Sequence, residues 1–293
     1  DLHLLSRRQR QMCIRDSATP NRNVNYKIER HPEKWEAFKT YTHNQIGELM
    51  SNYGTIDILW LDGGWVSPRN NQDIDMPQIA AMARAKQPGL LVVDRTIHGK
   101  YENYQTPEQK IPEHQLPYPW ESCVTLTTDW GWVKNPVYKT PNRIISILME
   151  VVAKGGNLLL GVGPTAEGLI EQPTVKRLQE IGRWMQKNGK AIYHTRITPN
   201  YHCGNVWFTA DKNGRTLYAL YALPEGETLP AVIEWEGNVP ERGTSVRLLS
   251  TGQRMKWIER DGKVAVTLPA KLAGSTEPIA LQFDTPLPKQ NKK

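Results

Sequence analysis

The sequence predicts an α/β domain followed by a smaller antiparallel β domain, and three observations carry that reading. Short apolar stretches alternate with segments of helical period as far as about residue 193, the mark of parallel βαβ units. From Thr195 onward, short β-prone runs are joined by dipeptides such as Asn213-Gly214 and Asp261-Gly262, which favour tight hairpin turns. A chain of 293 residues also has room for two domains.

The elements follow in order. Over residues 36–53, Phe38, Tyr41, Ile46, Leu49, Met50 and Tyr53 recur at helical spacing, and Gly54 ends the run. Residues 56–61 (IDILWL), closed by Asp62-Gly63-Gly64, read as a buried strand ending in a tight turn. A second helix is predicted over 76–86, stopped by Pro88-Gly89. Residues 90–93 form a second strand with Asp94-Arg95 at its C-terminal end. After a loop rich in proline and polar residues, 120–124 form a third strand. Thr140-Pro141 starts a helix, with Thr as N-cap and Pro at the first helical position, and Gly155-Gly156 stops it. Residues 158–160 are a fourth strand, and a last helix covers 173–187. Four such strands fit either part of a (β/α)8 barrel or an open doubly wound sheet. No glycine-rich phosphate loop follows any of them, which weakens a nucleotide-binding version.

In the second region, 206–208 and 216–223 flank Asn213-Gly214, 245–249 and 255–259 flank Thr251-Gly252, and 263–268 follow Asp261-Gly262. That density of hairpins indicates a small β-sandwich. The first seventeen residues, DLHLLSRRQRQMCIRDS, match nothing that follows and lack the layout of a signal peptide. They are read as a non-native or disordered head. The expected division is therefore 1–17 head, 18–193 α/β domain and 194–293 sandwich.

Composition narrows the function. No apolar run approaches the roughly 18 to 20 residues of a membrane-spanning helix. The net charge of +7 falls to +5 without the head, and three further Lys lie in the last five residues. The remaining surface is mixed, so no nucleic-acid partner is expected. Cys13, Cys123 and Cys203 form no framework, and neither they nor the seven His show metal-ligand spacing. Ten Trp and eleven Tyr against three Phe suit sugar binding, and suit ordinary cores as well.

In parallel α/β folds, chemistry gathers at the C-terminal ends of the strands. Asp62 ends the first strand, Asp94-Arg95 end the second, and Glu121 lies on the third, with Trp65 close to Asp62. Two carboxylates are what glycoside hydrolysis requires, one as nucleophile or base and one as proton donor. The donor needs a raised pKa. Glu121, between Trp120 and Cys123-Val124, suits that role, while Asp62 beside two glycines suits the nucleophile. Taken singly, Asp62 also fits a turn residue, Glu121 a buried partner of Arg95, and Trp65, Trp130 and Trp132 ordinary core positions. His98 could reach the pocket or simply pack.

As a set, these residues resemble a known family. Residues 52–65 (NYGTIDILWLDGGW) look like the nucleophile segment of the α-L-fucosidases of glycoside hydrolase family 29. Val93-Asp94-Arg95, Pro119-Trp120-Glu121, Asp129-Trp130-Gly131-Trp132, and GGNLLL at 155–160 followed by Gly163-Pro164 agree in order and spacing. The resemblance covers roughly residues 26–193 and extends more loosely to the sandwich. It implies a (β/α)8 barrel entered after about three strands, so that the chain is an N-terminally truncated part of the enzyme. It implies a retaining exo-α-L-fucosidase with Asp62 as nucleophile and Glu121, 59 residues later, as acid/base. Arg95, Trp65, Trp130 and Trp132 become substrate-binding residues and fucosylated glycans the substrates. No metal or organic cofactor is implied, and a secreted or periplasmic location is. Where many members carry Asn before the Val-Gly-Pro turn, this chain has Gly161. A non-catalytic carbohydrate-binding protein and an inactive fragment are the competing readings. With its barrel open, the chain alone is expected to be poorly soluble and without measurable fucosidase activity.

Overall fold

The computed structural model describes residues 28–62, 66, 71–95 and 99–285. The head, the basic tail, Gly63, Gly64, Trp65 and His98 lie outside the described residues. The chain divides into two compact units, Asp1–Thr106 and Pro107–Lys293.

The first unit begins with helix α1 (Pro32–Asn52), followed by strand β1 (Ile58–Trp60), helix α2 (Met76–Lys86) and strand β2 (Leu91–Val93). Proline near the first position starts α1, and Trp35, Ile46 and Met50 bury one of its faces. In α2 the N-cap carboxylate of Asp75 accepts from the backbone N–H of Gln78 at 3.2 Å, satisfying one of the donors a helix start leaves open. Met76, Ile79, Ala80 and Ala83 form its buried stripe. The two strands are parallel, with Ile58 opposite Leu91 and Trp60 opposite Val93. Side chains alternate along a strand, and Leu59 and Val92 point into the core shared with both helices. The opposite face carries Ile58, Trp60, Leu91 and Val93, and the alternation continues to Asp62.

The second unit has the same plan. Strand β3 (Glu121–Thr125) leads to helix α3 (Pro141–Ala153), strand β4 (Asn157–Gly161) and helix α4 (Gln172–Asn188). Thr140 caps α3 by accepting from the N–H of Arg143 at 3.1 Å. Gly155, at φ +85°, ends it through bonds from Gly156 N to Val151 O and from Gly155 N to Val152 O. That paired closure needs a left-handed residue, hence glycine. β3 and β4 are parallel, Glu121 opposite Asn157 and Thr125 opposite Gly161. Trp120, Val124 and Leu126, with Leu158, Leu160 and Val162, pack against α3. Glu121, Cys123 and Thr125, with Asn157, Leu159 and Gly161, therefore occupy the other face.

The sandwich then follows. Strands β5 (His202–Cys203), β6 (Val206–Ala210), β7 (Thr216–Tyr221), β9 (Arg247–Leu248) and β12 (Ile279–Asp284) form a five-stranded sheet in the order β5-β6-β7-β12-β9. Strands β8 (Val232–Glu236), β10 (Lys256–Arg260) and β11 (Lys263–Thr267) form a three-stranded sheet in the order β10-β11-β8. In the core the two sheets share, Trp235 stacks on Phe283 and meets Phe208 edge to face. The hairpins at Asn213-Gly214 and Asp261-Gly262 form as their turn residues require. The one at Thr251-Gly252 does not extend: β9 pairs with β12 and β10 with β11. Pairing there is confined to the turn, where Arg247 meets Arg254, and the chain crosses from one sheet to the other.

The outer face of the five-stranded sheet is covered by the helices. Ile145, Met149 and Trp184 pack on Tyr218, Leu220 and Ala280 in one buried cluster, and the Trp184 indole donates to Pro278 O at 2.7 Å. α3, α4 and the sandwich thus share a core within the second unit.

Candidate active site

In the first unit the site is built at the C-terminal ends of β1 and β2. Arg95 Nη1 donates to Asp62 Oδ1 at 2.7 Å. The guanidinium also lies 4.7 Å from the centre of the Trp60 ring, close enough for a cation–π contact. The Asp62 side chain keeps 61% of its surface exposed while that of Arg95 keeps 15%. The Arg is therefore the fixed partner, held between an indole and a carboxylate, and the Asp is presented to solvent. Arg95 adopts a φ of +43°, uncommon for a residue with a Cβ. Asp94, beside it, is buried.

In the second unit Glu121 is the first residue of β3. It therefore stands at the N-terminal end of its strand, about 13 Å of extended chain from Thr125 at the other end. Its Oε1 is buried and has no hydrogen-bond partner among the described residues, and burial holds its carboxyl above the ordinary glutamate range. A carboxyl whose folded pKa exceeds its unfolded one binds more protons in the native state. Its contribution to stability is thus complete below the unfolded value and is lost as pH rises through the folded one. Glu121→Gln should therefore melt above the parent at pH 7.5, and the two melting temperatures should converge near about pH 4. A gap independent of pH would show that the carboxyl is not held up in the folded chain.

At the C-terminal ends of β3 and β4 the structure gathers other residues. Trp130 and Trp132 are both exposed there, on the loop after β3. Asp129 Oδ1 accepts from the N–H of Trp130 at 2.8 Å. Thr127 Oγ1 accepts from the N–H of Asp129 and donates to its carbonyl. Lys139 Nζ donates to the carbonyls of Thr125 and Thr127 at 2.7 and 3.3 Å. The loop is closed by its own side chains. The Trp130 indole donates to Glu108 Oε1 at 2.7 Å.

Glu108 is a carboxylate that sequence reasoning passed over. The segment around it runs beside β3, with Glu108 bridging Cys123 in parallel register, through Cys123 N to Pro107 O and Gln109 N to Cys123 O. Neighbours in register point to the same side, so Glu108 shares the face of Glu121, Cys123 and Thr125. It stands two residues nearer the C-terminal end than Glu121. The segment is too short for a strand signal and contains Pro107, which reads as loop. Only its bridge to β3 reveals the placement.

Asp62 and Arg95 belong to the first unit and Glu108, Glu121, Trp130 and Trp132 to the second. Among the described residues no group of three or more His, Cys, Asp or Glu could hold a metal ion, and no helix is long and apolar enough to cross a membrane.

Comparison with known proteins identifies the frame these residues sit in. The family model described as alpha-L-fucosidase matches residues 4–190, a span that includes most of the 1–17 head. Plasma alpha-L-fucosidase of Pongo abelii is 30% identical over 260 residues, covering 82% of this chain and 53% of the relative. The human plasma enzyme matches to the same degree. Among solved structures, α-L-fucosidase isoenzyme 1 from Paenibacillus thiaminolyticus aligns with a TM-score of 0.73 and 27% identity, over 88% of this chain and 66% of that one. The Thermotoga maritima α-fucosidase in complex with fucose aligns with a TM-score of 0.67 and 26% identity, over 84% and 56%. The chain thus spans about half the length of the curated relatives it matches. With the family model matched over most of its length, this chain belongs to the α-L-fucosidase family.

Proposed function

We propose that this chain carries the catalytic carboxylates of a retaining exo-α-L-fucosidase that releases terminal α-L-fucose from fucosylated glycans. The observation that carries the reading is the Asp62–Arg95 pair at the ends of two parallel strands, within a chain of this family. Asp62 is the nucleophile: it attacks the anomeric carbon as the leaving oxygen takes a proton, and the glycosyl-enzyme so formed is opened by water. Arg95 fixes the attacking carboxylate.

Resemblance gives the acid/base to Glu121, and its burial-raised pKa supports that role. A second reading gives the acid/base to Glu108, and position favours it. Glu108 meets Trp130 where β3 and β4 end, whereas Glu121 opens β3 at the other end. Trp130, Trp132 and Trp65 supply aromatic surface for the sugar.

For the architecture we propose that residues 18–193 form the later strands of a (β/α)8 barrel and 194–293 its sandwich. Two facts support it. The relatives are nearly twice as long as the matched part, and Ile58, Leu91 and Leu159 are about two-fifths exposed on the strand faces turned from the helices. In a closed barrel those positions would be filled by neighbouring strands.

The test is turnover of an aryl α-L-fucoside by this chain and by a chimera joining it to the upstream part of the Paenibacillus relative. Proton NMR of the first product should show α-L-fucose before mutarotation. A β-anomer would exclude the double displacement. Binding of fucosylated glycans by both proteins without turnover would establish a carbohydrate-binding module instead.

A further inference from the structure

We infer that Gly161 is a positioning residue for Trp130, because the space of its missing side chain sets where the Trp130 ring stands at the end of β4. The inference rests on the fucosidase reading for its catalytic consequence and on geometry alone for its structural half.

A Cβ placed on Gly161 would lie 2.6 Å from Cζ3 and 2.7 Å from Cε3 of Trp130. Backbone conformation does not demand glycine here. Gly161 closes β4 in extended geometry and is absent from the residues of positive φ. The space of the missing side chain is what the indole occupies. Gly163, two residues on, has a related role: a Cβ there would meet Gly131 C at 2.4 Å and Trp132 N at 2.5 Å. The two glycines form a bed on which the Asp129-Trp130-Gly131-Trp132 loop lies. They differ in consequence. A side chain at 163 strikes loop backbone and would lift the whole turn, whereas one at 161 strikes only a ring.

That ring has little freedom to yield. Its residue is held at the main chain by Asp129 and at the indole N–H by Glu108. To reach ordinary contact distance from a new Cβ, it must move by roughly 1 Å. Such a movement breaks the bond to Glu108 or drags that carboxylate along. A displacement of about 1 Å among positioning groups can cost on the order of 100-fold in rate. Glu108 is here a positioning partner of Trp130 in addition to whatever proton it carries.

The experiment has two arms. In the first, the chain is labelled with 15N at its indoles, and the Trp130 Nε1–H resonance is assigned by its loss in Trp130→Phe. Gly161→Ala should shift that resonance, as should Glu108→Ala; a resonance unmoved by Gly161→Ala overturns the inference. In the second, kcat/KM on an aryl α-L-fucoside is measured for Gly161→Ala, Trp130→Ala and the double variant, in the chain or the chimera described above. Gly161→Ala should lose about 10- to 100-fold alone and less than about twofold in the Trp130→Ala background, since its effect acts through the ring. Losses that multiply in the double variant overturn it. A parent without turnover in either form removes the fucosidase reading and leaves the resonance arm to decide the placement of Trp130.

Discussion

In the chimera described above, Asp62→Ala should abolish turnover, by about 10⁴-fold or more in kcat on an aryl α-L-fucoside, with the fold intact. The pair it forms with Arg95 at 2.7 Å leaves most of the Asp62 side chain exposed, so no core contact is lost on truncation. Azide should then restore part of the rate. The small anion enters from the face that the carboxylate occupied, and the product should be the fucosyl azide of inverted, β configuration. Chromatography and proton NMR of the rescued reaction read this directly. Rescue giving an α-azide, or a variant that keeps more than about a tenth of the parent rate, would remove Asp62 from the nucleophile's role. Arg95→Lys should be damaging as well, because the planar guanidinium both stacks on Trp60 and reaches Asp62, which an ammonium cannot reproduce.

Glu108→Gln should cut turnover of fucosides with poor leaving groups by about 10²- to 10⁴-fold, the ordinary range for general acid catalysis. Aryl fucosides with acidic leaving groups need no proton and should be far less affected. Gln retains an oxygen that can accept from the Trp130 indole, so the loss reports the missing proton and not a displaced ring. Glu121→Gln should leave both substrate classes within a few-fold of the parent, since Glu121 lies at the far end of β3. The reverse pattern, with Glu121→Gln selective for poor leaving groups and Glu108→Gln mild on both, would assign the acid to Glu121 as the resemblance implies.

Much of the fold was legible in the residues because it is local. The Thr140-Pro141 start and Gly155-Gly156 stop of α3 are written in side-chain hydrogen bonding and backbone freedom, and both ends form as those residues require. The same holds for the buried stripe of α2 and for the hairpins at Asn213-Gly214 and Asp261-Gly262. Strand β12 was not legible. Ala280 faces the helices while Ile279, Leu281 and Phe283 face the sandwich core, so burial on both sides removes the alternation that marks a strand. β8 was likewise passed over, although its burial alternates.

The candidate site divides along the same line. By themselves, the residues determined the family, through motifs that agree in order and spacing, and the strand-end position of Asp62 and Arg95, which depends on near neighbours in sequence. Tertiary structure alone decided what lies across from them. The Arg95–Asp62 pair joins residues 33 apart, and the Glu108–Trp130 bond joins residues 22 apart. Gly161 acquires meaning only once the loop carrying Trp130 folds down on it. Pattern and propensity report what a residue does to its own turn or strand. Contacts closed between strands depend on register and on which face is covered, and those are fixed when the sheets and helices pack.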